Sequence, residues 1–102
     1  MPSKNYLTVS TGQEIRAHFE SRNSTTLFVP AFVLNRLGAP VLACYQKNLP
    51  NCCSLVVECQ TPGQALNCLY HGIHSISYVN KKKHQGLFSI AQHLGAHIIY
   101  KN

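Results

Sequence analysis

Three times this chain runs a helix-spaced apolar stretch into a glycine and out again into a strand-like apolar stretch. The units are Phe32–Tyr45 about Gly38, Ala65–Val79 about Gly72, and Leu87–Tyr100 about Gly95. Glycine enters the left-handed backbone region at little steric cost, which lets a helix stop and the chain turn back into a strand. Tandem helix–glycine–strand units predict a small layered α/β domain. The expected architecture is Rossmann-like: a mixed, mostly parallel sheet of about five strands with helices on both faces, and residues 1–102 as a single domain.

The local signals place the elements. Tyr6–Val9 and Thr25–Val29 are β-prone. Between them, Ser10 to Gln13 and Thr11 to Glu14 form overlapping capping boxes, in which a hydroxyl caps the helix start and a longer side chain reaches back. The Ile15 and Phe19 spacing carries that helix to about Ser21. Pro30 suits the first turn of a short helix ending at Gly38, with Val33, Leu34 and Leu37 inward. Val41–Tyr45 then reads as a strand. The segment Gln46–Cys53 is too short for a parallel crossover, so Ser54–Cys59 is expected to run antiparallel to Val41–Tyr45 or to lie elsewhere in the sheet. Thr61-Pro62-Gly63-Gln64 is the clearest helix start: Thr at the cap, Pro in the first turn, Gln three residues on. Ile73–Val79 is the next strand. Leu87, Ile90, Ala91 and Leu94 stripe a helix, and Ala96–Tyr100 closes a βαβαβ series of parallel strands.

Charge bounds the partners. Nine Lys and Arg stand against three acids (Glu14, Glu20, Glu58), a net charge of +6. Such a balance favours anionic partners: a phosphate-bearing ligand or nucleic acid. The most apolar window, Thr26–Tyr45, is broken by Pro30, Arg36 and Pro40, so no membrane span is expected. Met1–Asn5 lacks the apolar core of a secretory signal, which points to a cytoplasmic location. An odd count of five cysteines argues against a disulfide framework.

Open α/β sheets bind ligands beyond the carboxyl ends of their strands, where helix starts present N–H groups. Thr61 and Gly63 follow one such end. Asn80, Lys81, Lys82, Lys83 and His84 follow the next. Together they are the expected anion-binding residues, although neither loop carries a nucleotide-binding fingerprint. His74 and His97 both fall two residues after a glycine. If their strands pair in that register, they share a face, with His71 and His93 nearby, in an arrangement suited to a transition metal or a pH-sensitive patch. The spacing fits no zinc motif, so neither a metal nor a cofactor is assigned. Cys52-Cys53 is a vicinal pair able to hold a soft metal or respond to oxidation. Cys59, beside a helix start that would lower its pKa, pairs conceivably with His84 as nucleophile and base. Tyr45, Tyr78 and Tyr100, near strand ends, offer stacking surfaces for single-stranded nucleic acid. No catalytic residue is assigned. Two-carboxylate chemistries are excluded by the scarcity of acids.

Val57–Tyr78 resembles one βαβ step of a Rossmann-like domain or a phosphate-binding (β/α) barrel, without a diagnostic residue of either, so the resemblance implies no activity. The functional expectation is a small intracellular, non-enzymatic binding or assembly module taking an anion at the carboxyl edge of its sheet. The alternatives are a homo-oligomeric interaction subunit, with the terminal strand as a free edge for a homodimer, and a Cys-dependent enzyme or His/Cys metal domain.

Overall fold

The computed structural model describes residues 5–79 and 85–101. Five strands and five helices alternate along them: β1 (Asn5–Thr8), α1 (Gly12–Arg16), β2 (Thr25–Val29), α2 (Ala31–Leu37), α3 (Ala39–Asn48), β3 (Cys53–Cys59), α4 (Pro62–Tyr70), β4 (Ser75–Val79), α5 (Gln85–His93) and β5 (His97–Lys101). The strands form one sheet in the order β1-β2-β3-β4-β5, and every neighbouring pair is parallel. This is the expected layered α/β domain, with the sheet wholly parallel rather than mixed.

The placement of helices corrects the expectation of a doubly covered sheet. Parallel strands laid side by side in one direction, through crossovers of one hand, put every crossover on the same face. The core follows that rule. Leu27, Val29, Leu55, Val57, Cys59, Ile76 and Tyr78 point to one side of the sheet. There they pack with Ile15, Val33, Leu42, Ala65, Cys68, Leu69, Leu87 and Ala91, drawn from all five helices. The alternate strand positions face away from the helix layer.

A second correction concerns Val41–Tyr45, which is helical rather than extended. Gly38, at φ 87°, separates α2 from α3 instead of ending a helix before a strand. Pro40 sits in the first turn of α3, where its missing N–H costs nothing. Ala39, Leu42 and Ala43 are its buried positions, at helical spacing. With α3 serving as part of the crossover, β3 lies parallel to β2, Leu27 opposite Leu55, and no antiparallel pair forms. Helix α1 is also shorter than its apolar spacing implies. After Arg16 the chain continues in tighter turns, with the amides of His18 and Phe19 bonded to the carbonyls three residues back.

Both forecast helix starts are built alike. Thr11 accepts the Glu14 amide at 3.2 Å, and the Glu14 carboxylate accepts the Ser10 amide at 3.3 Å. Thr61 accepts the Gln64 amide at 3.1 Å, and Gln64 Oε1 accepts the Gln60 amide at 2.9 Å. In each, the returning side chain reaches one residue beyond the cap.

Helix α1 is clamped to α3 by Tyr45. Its hydroxyl accepts from the Arg16 guanidinium at 2.8 Å, and its ring lies against Phe19 with centroids 5.9 Å apart. Gly12 admits the ring: a Cβ there would stand 2.8 Å from the hydroxyl. Tyr45 is therefore packed and bonded on a helix, not presented at a strand end.

Candidate functional site

The most distinctive surface is the sheet face that carries no helix among the described residues. Register sets its rows: Tyr6, Thr26 and Ser54; Thr8, Phe28 and Val56; Glu58, Ser77 and Ile99. Tyr6 is 66% exposed and Ile99 46%, large values for apolar side chains. With Phe28, Val56 and Ser77 they line a shallow hollow of about 170 Å³. Thr26 and Ser54 join hydroxyls across two strands at 3.2 Å along its margin. Ser77, at the centre, is fully buried, and its hydroxyl has no hydrogen-bond partner among the described residues. An unpaired buried hydroxyl costs about 1–3 kcal/mol.

This face is nearly uncharged on a basic protein. Glu58 is the charged residue at its strand positions among the described side chains. The Glu58 carboxylate is already engaged, accepting the Ala31 amide at 2.9 Å. Pro30, at the cap of α2, has no side chain to offer that amide, so β3 supplies an acceptor to the positive end of the helix.

The carboxyl edge was the expected site. Strands β3 and β4 are neighbours there, Cys59 opposite Tyr78, so the chain leaves both strands at one rim. Thr61 and Gly63 lie on that rim, Thr61 committed to its cap. Asn80, Lys81, Lys82, Lys83 and His84 lie outside the described residues. Doubly wound sheets create a binding crevice where the strand order reverses; the order here never reverses. Tyr78 is buried in the core and Tyr45 lies on α3, so these two do not form the expected stacking platform.

At the amino edge, the register pairs His97 with Ser75, and the His97 amide bonds to the His74 carbonyl at 2.8 Å. His74 and His97 are thus one step out of line, which breaks the expected side-by-side pair. His71 Nδ1 is 2.8 Å from the Asn67 carbonyl within its own helix end. Among the described residues, no three His, Cys, Asp or Glu side chains gather as a metal site. The amino edge holds a cleft of about 430 Å³, lined in part by Gln46, Lys47, Cys53, His74 and Ser75.

Four of the five cysteines form two pairs, and Cys44 is exposed on α3. Cys59 and Cys68 are fully buried between β3 and α4, with sulfurs 3.8 Å apart. The hydrogen bond to Cys68, together with burial, pushes the Cys59 thiol up. This reverses the expectation of a nucleophile activated by a helix start. Cys52 and Cys53 have sulfurs 4.0 Å apart. Burial, then the contact with Cys52, raises Cys53.

The residues of the helix-free face were not singled out in the sequence, yet a signal was there. A strand covered on both faces reads as continuous apolar residues. Here Thr26, Ser54, Ser75 and Ser77 interrupt the runs at alternate positions, marking a face that no helix covers. Among the described residues, no helix is long and apolar enough to cross a membrane. No protein-family model, no curated protein and no solved structure matches this chain.

Proposed function

We propose that the protein is a non-enzymatic assembly module that pairs with a second copy of itself, helix-free face against helix-free face. The observation that carries this reading is the exposure of Tyr6 and Ile99 beside Phe28 and Val56, around a Ser77 hydroxyl unpaired among the described residues. Stacked sheets bury such faces at about 10 Å separation. A second copy suits the surface because the basic residues of α1, α2 and α3 (Arg16, Arg36, Lys47) lie with the helix layer. Two copies can therefore approach sheet to sheet despite a net charge of +6 each. The contact is small. Five strands about 4.8 Å apart, each roughly five residues long, span on the order of 400 Å² in projection, which suits a reversible pair rather than an obligate one. The test is mass against concentration: a monomer–dimer equilibrium in the wild type, shifted to monomer by Ile99→Lys.

A second reading rests on a different observation. The neighbouring ends of β3 and β4 open on the rim that carries Thr61 and Gly63, and Lys81, Lys82 and Lys83 follow β4 in the sequence. A phosphate-bearing ligand or nucleic acid bound there would be lost with rising salt and with Lys81, Lys82 and Lys83 replaced by Ala. Phosphate and oligonucleotide titrations of both proteins check it. As a cytoplasmic module it would meet such ligands freely.

A further inference from the structure

We propose that Cys52 and Cys53 form a bidentate site for a soft, thiophilic metal ion, independent of the sheet face. Adjacent residues in an extended chain send side chains to opposite sides. These two do not diverge, because Cys52 occupies the turn that enters β3 and Cys53 is the first strand residue. Both sulfurs turn toward the loop that enters β2. Cys52 Sγ is 3.4 Å from the Ser21 carbonyl and Cys53 Sγ 3.6 Å from the Asn23 carbonyl. The two sulfurs thus lie together, each directed at a carbonyl oxygen of the same loop.

The spacing suits chelation as it stands. A tetrahedral ion with metal–sulfur bonds of about 2.3 Å holds its sulfurs roughly 3.8 Å apart; the separation here is 4.0 Å. Both carbonyls face the thiols as acceptors. The Asn23 carbonyl already faces the Ser21 and Thr25 hydroxyls, each at 3.4 Å, besides the Cys53 thiol. Loss of the thiol protons alone would set two thiolates against two carbonyl oxygens, a repulsive arrangement. A bound cation removes that repulsion by taking the protons' place. The balance is two S–H bonds broken, two metal–sulfur bonds formed and two protons released, with no change in oxidation state. Soft ions such as Cd²⁺ or Cu⁺ match the sulfur donors. Cys52 is half-buried, which gives an ion access.

The experiment is a titration of the reduced, full-length chain with Cd²⁺, read by sulfur-to-metal ultraviolet absorption and by proton release. One ion per chain and two protons per ion are expected. Because the second sulfur binds intramolecularly, Cys52→Ser should weaken binding by about a hundredfold or more, while Cys44→Ser, which removes an exposed thiol elsewhere, should change nothing. Cys53 is buried and a substitution there risks the fold, so a second measurement is made on the folded wild type and Cys52→Ser. Phenylarsine oxide should form a two-sulfur adduct with the wild type that resists a monothiol and yields to a dithiol. The same reagent on Cys52→Ser should give an adduct that the monothiol removes. Equal Cd²⁺ affinity in wild type and Cys52→Ser, loss of binding in Cys44→Ser, or a monothiol-labile wild-type adduct would each overturn the proposal.

Discussion

Gln46 holds the backbone on both sides of Ile73 as a strand residue would. Its Nε2 donates to the Gly72 carbonyl at 2.7 Å, and its Oε1 accepts the His74 amide at 2.9 Å. A side chain of α3 thereby satisfies the chain as it leaves the left-handed Gly72, φ 92°, and enters β4. Gln46→Glu keeps the acceptor and turns the donor into an oxygen facing the Gly72 carbonyl. Each lost bond is worth about 0.5–1.5 kcal/mol. Gln46→Leu should therefore cost about 1–3 kcal/mol, and Gln46→Glu at least as much as the loss of one bond, read as urea midpoints at neutral pH.

Glu58 caps a helix that is not its own. Glu58→Ala removes the acceptor of the Ala31 amide and should cost about 0.5–2 kcal/mol, the usual range for a lost cap. Glu58→Gln retains an acceptor oxygen and should recover most of that loss. Denaturation of the three proteins side by side decides it; equal stability of all three would show the contact to be idle.

The fold was legible where local chemistry is self-sufficient. The Thr-capped starts of α1 and α4 were readable because a hydroxyl and a Glu or Gln three residues on satisfy backbone groups within one turn. Gly72 and Gly95 were readable because their left-handed turns, φ 92° and 73°, suit glycine. Gly38 misled because the same conformation also joins two helices, and an apolar run such as Val41–Tyr45 fits strand or helix until its polar continuation, Gln46–Asn48, is assigned. The helix-free face was harder, since it depends on strand order, which no local pattern encodes. The histidine pair failed for the same reason: one residue of register separates His74 from His97.

Alkaline stability should report the buried thiol pair. The folded-state pKa of Cys59 is raised by its bond to Cys68 and by burial. Its contribution is fully present below the unfolded value of about 8.5 and is lost as pH climbs beyond it, because the unfolded chain releases the proton first. The Cys59 contribution should therefore fall above about pH 9, by up to roughly 1.4 kcal/mol per pH unit, against an opposite contribution from Cys68, whose thiol the same bond lowers. Cys59→Ala should be less stable at pH 7 yet show a shallower alkaline decline. Urea midpoints between pH 7 and pH 10 measure both slopes; parallel declines would contradict the assignment.

Ser77 is the polar residue that the open face buries without a partner. In the unassembled chain, Ser77→Ala removes an unsatisfied hydroxyl, so monomer stability should rise by about 1 kcal/mol. Ser77→Val fills the hollow instead and should weaken pairing. Denaturation at low protein concentration separates the first effect from the second.

Assembly through the bared sheet face is tested most directly by sedimentation equilibrium of wild type and Ile99→Lys across a wide concentration range. Ile99 is 46% exposed, so the substitution leaves the helix-side core intact. The account predicts a wild-type mass that rises from one chain toward two and an Ile99→Lys mass that stays at one. A wild type that remains monomeric throughout, or a dimer that Ile99→Lys leaves unchanged, would contradict it.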